Sequence, residues 1–329
     1  MIHADDRRAL LERWLAAQFK GARFSLTPAS EDASFRRYFR ATLDNGASYV
    51  AMDAPPDKED CRPFVHVARL LQAAGVHAPR VFAEDFGSGF LLLADLGTRT
   101  YLQELNSASA AQLFSDATDA LIRWQLATRP GELPPYDEAL LRRELNLFPE
   151  WYVSRHRGVA LGDAQRHALE DTFRRLVANA LAQPAVYVHR DYMPRNLMVC
   201  EPNPGVLDFQ DAVLGPITYD VVSLLRDAFL SWEEERVLDW SARYWEKAKR
   251  ATLPVGEDFG EFWRALEWMG LQRHLKVMGI FARICYRDGK PRYLEDTPRF
   301  AGYARTVARR YRELSPLAKL LDQIESMHA

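Results

Sequence analysis

Residues 188–199, V-H-R-D-Y-M-P-R-N-L-M-V, place Asp191 within His189-Arg190-Asp191 and follow it with Asn196, and Asp208 comes next in G-V-L-D-F-Q-D-A. His189, Arg190, Asp191 and Asn196 fit the pattern H-R-D-x-x-x-x-N. Phosphoryl transfer from ATP needs such a set: one carboxylate beside the acceptor hydroxyl, and a second carboxylate with an amide oxygen to hold magnesium on the β- and γ-phosphates. Magnesium takes hard oxygen ligands and keeps some water, so one aspartate and one asparagine suffice when phosphates complete the shell. On this reading Asp191 is the catalytic carboxylate that orients the acceptor hydroxyl and receives its proton, while Asn196 and Asp208 hold Mg2+. Any one of these residues alone reads as an ordinary polar loop residue, but the whole set in register between apolar runs does not.

The apolar runs are strand-like. A-V-Y-V-H (185–189), L-M-V-C (197–200) and G-V-L-D-F (205–209) are short islands, and Glu201-Pro202-Asn203-Pro204-Gly205 turns between the last two. A loop followed by a tight hairpin there is expected to bring Asp191, Asn196 and Asp208 to one mouth. Upstream, S-F-R-R-Y-F-R-A-T-L and S-Y-V-A-M-D-A flank Asp44-Asn45-Gly46, a hairpin signal. F-V-H-V-A-R-L-L-Q-A-A-G has helical spacing and stops at Gly75; P-R-V-F-A-E-D and G-F-L-L-L-A-D then read as strands joined by Phe86-Gly87-Ser88-Gly89. Leu10, Leu11, Trp14 and Leu15 mark one face of a helix starting after Asp5 or Asp6. From about Gly97 the spacing is helical over 101–127, 137–156, 163–182, 219–230, 232–250, 258–286 and 297 to the end. The expected fold is α+β: a small antiparallel-sheet lobe with one embedded helix over 1–96, carrying the nucleotide, and a large, mainly helical lobe over 97–329, carrying the catalytic loop and the acceptor site.

A length of 329 residues accommodates that arrangement, and 48% hydrophobic with 27% charged residues is the balance of a globular chain. With 43 Lys+Arg against 45 Asp+Glu, the formal charge of −2 supplies no global field to recruit nucleic acid or an acidic membrane. Cys61, Cys200 and Cys285 are scattered, which argues against a disulfide framework or a zinc set and for a reducing cytoplasm. No stretch approaches ~18 uninterrupted apolar residues, and the N-terminus lacks a signal-peptide pattern. The oligomeric state is open, a monomer being compatible with everything above.

The constellation resembles the aminoglycoside-phosphotransferase and choline-kinase branch of the kinase-like fold, where D-F-Q or D-W stands in place of the D-F-G of protein kinases. E-D-A-S-F-R-R-Y-F-R, M-D-A-P-P, F-L-L-L-A-D-L-G, R-R-E-L-N-L-F-P-E-W-Y, H-R-D-Y-M-P-R-N-L-M, G-V-L-D-F-Q-D-A-V-L-G-P-I-T-Y-D and the stretch from Gln272 to Leu294 are similar to bacterial N-acetylmuramate/N-acetylglucosamine anomeric kinases. That likeness spans nearly the whole chain. It implies transfer of the γ-phosphoryl group of ATP to the C1 hydroxyl of a small amino sugar, giving an α-1-phosphate for peptidoglycan recycling. A kinase of another small hydroxyl compound (an aminoglycoside, choline, homoserine or thioribose) is the nearest rival, and a nucleotide-binding pseudokinase the more distant one. The basic stretch 272–294 favours an acceptor bearing a carboxylate or no charge over a cationic one.

The resemblance also assigns the remaining roles. The segment G-F-L-L-L-A-D-L-G supplies the adenine slot, with Leu93, Asp95 and Leu96 at the nucleotide and Leu91 and Leu92 in the core. Asp220 corresponds to an aspartate that braces the catalytic loop through His189 or Arg190, or it caps a helix, or both. Val50-Ala51-Met52 align with the V-A-I of V-A-I-K, which puts Asp53 where a phosphate-binding lysine is expected. The following helix also lacks its glutamate partner. Arg36, Arg37, Arg40 and Lys58 are the candidate replacements. The hairpin sets Arg37 opposite Asp53 to within a residue, so Arg37 either pairs with Asp53 or reaches the phosphates, with Arg36 or Arg40 on the outer face. Ser30 and Ser34 are left to cradle phosphate in a loop without glycine. For the sugar, Lys276, Arg283 and Arg287 share one helix face and suit a carboxylate, or form a solvated face. Trp151 and Tyr152 either stack on a pyranose or pack in the core.

Overall fold

The computed structural model describes residues 4–30 and 35–326. The chain begins α1 (Ala4–Gln18), β1 (Phe24–Ser30), β2 (Arg37–Leu43), β3 (Ser48–Asp53), α2 (Arg62–Ala73), β4 (Val81–Asp85), β5 (Phe90–Ala94), α3 (Tyr101–Glu104) and α4 (Ala110–Leu126). It continues through α5 (Glu138–Leu145), a π-helical segment Phe148–His156, α6 (Asp163–Ala182), β6 (Ala185–Val188), a 3₁₀ turn Pro194–Asn196, β7 (Leu197–Met198), β8 (Gly205–Val206) and β9 (Val213–Pro216). The helices α7 (Tyr219–Leu225), α8 (Glu234–Arg250), α9 (Phe259–Asp288), α10 (Thr297–Arg310) and α11 (Ser315–Ser326) complete it. Two compact units form: one runs to Ala120 and includes Arg195–Asp211, the other comprises Leu121–Pro194 and everything from Ala212 onward. The expected division after residue 96 marks where the chain turns helical. Compactness divides it differently, because α3, most of α4 and the β7–β8 hairpin join the sheet.

In the first unit the five-stranded sheet has the order β1-β2-β3-β5-β4 with antiparallel neighbours. Strand alternation gives it two faces. Phe39, Ala41, Ala51, Phe90 and Leu92 point one way and bury Leu11 and Leu15 of α1. Their sequence neighbours Tyr38, Arg40, Val50 and Leu93 point the other way and line a cavity together with Phe64 of α2. Gly89, with φ +74°, closes the β4–β5 turn against the main chain after β3: a Cβ there would lie 1.8 Å from the Ala54 carbonyl oxygen.

The register settles the question posed by Asp53. Arg37 lies directly opposite Asp53, and Tyr38 opposite Met52. Opposed residues share a face, so Arg37 and Asp53 belong to the α1 side, and Met52 shares the cavity side with Tyr38. The strand is read correctly from sequence, but the alignment of Asp53 with the lysine is out of phase. The Asp53 carboxylate, fully buried, accepts from Arg7 Nε at 2.9 Å and Arg37 Nε at 3.0 Å, with both Nη2 groups also bonded to it. Arg7 also donates to the Ser88 carbonyl at 2.7 Å, so α1, β2, β3 and the β4–β5 turn meet at one carboxylate.

Several other elements depart from expectation. β1 is an edge strand whose pairing is irregular between Pro28 and Ser30, and proline masks its strand signal. β9 pairs with β6 through a short stretch ending in Gly215 and Pro216, residues that weaken any strand pattern. The helical run expected over 137–156 divides at Asn146–Leu147 into α5 and the π-helical segment, which carries Pro149 in its first turn, that over 101–127 breaks at Asn106–Ser109, and the one after 297 breaks at Tyr311. The run over 219–230 ends at Leu225. In the second unit, α9 is 30 residues long and buried along most of its length. A Cβ on Gly279 would lie 2.4 Å from the Leu147 carbonyl carbon, so α9 meets the start of the π-helical segment at main-chain distance.

Removing one partner from a buried ion pair leaves an uncompensated charge, which typically costs about 3–5 kcal/mol. Asp53→Ala, leaving Arg7 and Arg37 facing each other, should therefore lower the unfolding free energy by about that amount in urea titration. A loss below about 1 kcal/mol would show that the carboxylate does not hold this corner together.

Candidate active site

The β7–β8 hairpin pairs Leu197 with Val206 and Met198 with Gly205. Beyond its open end the Leu207 N–H donates to the Asn196 carbonyl at 2.9 Å. This closes the ladder with Asn196 and Asp208 side by side: Asn196 Nδ2 lies 3.3 Å from Asp208 Oδ2. Asp208 has φ +62°, a left-handed conformation unusual for a residue with a Cβ, and Gln210 Nε2 donates to its other oxygen at 2.9 Å. Asn196, Asp208, Leu93, Asp95 and Leu96 line one cavity of about 320 Å³, with Phe209 and Phe64 among the apolar walls. Leu91 and Leu92 are buried core, as expected.

Asp95 has its carboxylate committed within the protein. It accepts from Arg40 at 2.6 and 3.0 Å, Ser48 Oγ at 2.5 Å and the Gly97 N–H at 2.9 Å. Burial alone would raise its pKa, but these bonds hold it below the ordinary carboxylate range. Its side chain therefore braces the segment after β5. Arg40 lies on the cavity face, which corrects its expected outer-face position. Ser30 ends β1, and Ser34 lies outside the described residues.

One carboxylate and one neighbouring amide fit a hard divalent cation that takes its other ligands from phosphate and water. Among the described residues no group of three or more His, Cys, Asp or Glu side chains forms a metal set of its own.

In the second unit β6 leads into the loop of residues 189–191. Arg190 has φ +74°, and the loop is pinned by Asp220, whose carboxylate accepts the main-chain N–H of His189 at 2.7 Å and of Arg190 at 3.0 Å. Asp220 is the second residue of α7, while Thr218 occupies the cap position, so of the two expected roles it has the brace. The brace acts through the backbone, a contact that residue type alone does not reveal. The Asp191 N–H points back to His189 Nδ1 at 3.2 Å.

The Arg190 side chain pairs with Glu144 of α5. Lys276 of α9 reaches the same carboxylate at 2.9 Å and donates to the Tyr219 hydroxyl at 3.0 Å, and the Tyr136 hydroxyl also donates to Glu144. Burial would raise Glu144, but Lys276, Arg190 and Tyr136 hold it below its usual range. Burial likewise works against the Lys276 charge, but Glu144 together with the Tyr219 and Asp191 side chains raises its pKa. Lys276 is therefore a buried structural cation and not the exposed carboxylate ligand expected from its helix face. Glu144 and Tyr136 escape the sequence reading, the only trace being an acidic residue in the apolar phase of α5 beside Leu141 and Leu145.

Further along α9, Arg287 is exposed and forks onto Asp288 at 2.7 and 2.9 Å. Arg283 is half-buried, and its Nε is buried without a hydrogen-bond partner among the described residues. Burial and the neighbouring Arg287 lower its pKa. Trp151 is half-buried, whereas Tyr152 is buried and stacks on Phe148 at 5.5 Å, the core role.

The model of the phosphotransferase enzyme family matches residues 25–263. A protein from Pseudomonas aeruginosa named N-acetylmuramate/N-acetylglucosamine kinase is 58% identical over 296 residues, covering 90% of this chain and 87% of its own. One of the same name from Neisseria meningitidis serogroup B is 51% identical over 323 residues, covering 97% and 96%. The ADP-bound crystal structure of the aminoglycoside phosphotransferase APH(2'')-Ib superposes with a TM-score of 0.61 at 16% identity, covering 95% of this chain and 99% of that one, a likeness of fold.

Burial pushes Asp220 up to about 7 against the pull of its two N–H donors. An unfolded aspartate titrates near 3.9, so the native state binds the extra proton between those values, and this contribution to stability falls as pH rises through the window. The melting temperature of the wild type minus that of Asp220→Asn should therefore decline from pH 5 to pH 7. A difference that stays flat would mean Asp220 titrates as an ordinary carboxylate.

Proposed function

The chain belongs to the phosphotransferase enzyme family, and from that premise we propose that it transfers the γ-phosphoryl group of ATP to the anomeric C1 hydroxyl of N-acetylmuramate and N-acetylglucosamine. The observation that carries the reading is the cavity in which Asn196 and Asp208 sit with the Leu93–Leu96 segment. It offers apolar walls and main-chain groups for adenine, and an amide and a carboxylate for the metal, in one place. The sugar assignment is supported by the printed names of relatives that match along most of their length.

The acceptor oxygen on C1 bonds to the γ-phosphorus as the bond from that phosphorus to the β-phosphate oxygen breaks, leaving ADP and a sugar 1-phosphate. Asp191 orients the hydroxyl and takes its proton late, an undemanding task because a hemiacetal hydroxyl is more acidic than an ordinary alcohol. Asn196 and Asp208 would hold Mg2+, which supplies neutralisation of phosphate charge. The Asp220 brace and the Arg190–Glu144 pair hold the left-handed main chain of Arg190 that leads into Asp191. Arg283 is the cation of α9 best suited to the lactyl carboxylate of a muramic acid, since Lys276 is committed to Glu144 and Arg287 to Asp288. The product is an α-1-phosphate ready for uridylyl transfer in peptidoglycan recycling, a cytoplasmic use of ATP. Among the described residues no helix is long and apolar enough to cross a membrane.

ADP release should be measured with N-acetylmuramate, N-acetylglucosamine, kanamycin and choline. Turnover of the amino sugars alone supports the reading; turnover of none, with magnesium-dependent ATP binding intact, would make the chain a nucleotide-binding scaffold. Asp191→Ala should reduce kcat by about 10²- to 10⁴-fold with ATP binding retained, and near-normal turnover would remove Asp191 as the base. Arg283→Ala should raise KM for N-acetylmuramate by about tenfold with little effect on N-acetylglucosamine. Equal effects on both sugars would refute carboxylate recognition.

A further inference from the structure

We propose that Arg36 is the cation that grips the nucleotide phosphates, held in place by Glu59. The four basic side chains near β2 and β3 are sorted by their surroundings. Arg37 lies on the α1 face and is spent on Asp53. Arg40 faces the cavity but forks onto Asp95 and donates to the Gly97 carbonyl. Lys58 is about half exposed, beside Asp57. Arg36, immediately before β2, has the same parity as Tyr38 and Arg40, both of which line the cavity containing Asp208.

Its neighbours fix the position further. The Arg36 guanidinium pairs with Glu59 at 3.5 Å, with side-chain exposures of 12% and 21%. Burial works against the Arg36 charge, but the Tyr38, Glu59 and Asp208 side chains together raise its pKa. A guanidinium presents five N–H donors in a planar fork, a geometry that lets one side chain pair with a carboxylate and also take up a phosphate oxygen. Glu59 precedes α2, and an acidic partner there gives the same arrangement of a cation oriented by a carboxylate as a strand lysine paired with a helix glutamate. In this chain the cation has moved one strand over and the carboxylate to just before the helix, while Met52 fills the vacated inward position of β3. Both halves of the ion pair that sequence alignment finds missing are thus present at other positions.

The inference rests on the nucleotide-binding reading of the cavity, so the test separates the two. Dissociation constants for Mg-ATP and adenosine are measured calorimetrically on the full chain. The wild type should prefer ATP, and Arg36→Met should weaken ATP by about 10- to 100-fold while leaving adenosine within about twofold. Arg37→Met should lower the melting temperature without changing the ratio of the two affinities. A wild type without preference for ATP overturns both the cavity reading and this assignment. An unchanged ratio in Arg36→Met overturns the assignment of Arg36 alone. Should the Met variant not fold, Arg36→Lys, which keeps the charge and loses the fork, carries the test: a several-fold fall in the ratio supports the role, and none refutes it.

Discussion

A carboxylate taken out of water must be met by cations or N–H donors, and three such carboxylates organise this protein. Asp53 gathers Arg7 and Arg37, tying α1 to the sheet whose other face carries the cavity. Glu144 gathers Arg190, Lys276 and Tyr136, tying α5 and α9 to the catalytic loop. Asp220 accepts the main-chain N–H groups of His189 and Arg190, so it holds the loop through its backbone. Losing any one of them would leave an uncompensated buried charge or unsatisfied N–H donors next to a functional segment.

The same networks explain how left-handed backbone is sustained at functional positions. Arg190 carries a positive φ, and its N–H and its guanidinium are anchored separately, to Asp220 and Glu144. Asp208 carries one as well, steadied by Asn196, Gln210 and the closing bond of the β7–β8 hairpin. Strain of about 1–3 kcal/mol at such residues persists only where surrounding bonds over-determine them. Here those bonds come from the residues around Asp191, Asn196 and Asp208, the groups proposed for catalysis and metal binding.

Much of the site was legible from sequence because it is local. Asp191, Asn196 and Asp208 lie within one tract, and the turn between β7 and β8 is written in its prolines and glycine. The opposition of Arg37 and Asp53 followed from a hairpin turn of known register, since antiparallel pairing carries position from one strand to the next. Which face that pair occupies was not legible. Strand periodicity separates odd from even positions but does not say which set meets a helix and which a cavity, and that depends on where α1 packs. That uncertainty left Arg37 either pairing with Asp53 or reaching the phosphates, with Arg36 or Arg40 on the outer face. Lys276 was misjudged for a related reason: its helix-face spacing is shared by Arg287, yet one is buried and the other exposed on the same helix.

The sequence by itself determined the chemistry available: two aspartates and an asparagine at spacings that suit metal-assisted phosphoryl transfer, a sheet-rich first part, and a helical remainder. These follow from short-range rules of spacing, turn chemistry and apolar period. Only the tertiary structure decided the partners of each buried charge, because Arg7 with Asp53, Lys276 with Glu144 and Asp220 with the His189 main chain are joined across long stretches of chain. Burial sets the energetic demand for those pairings, and burial exists only once the distant elements have packed.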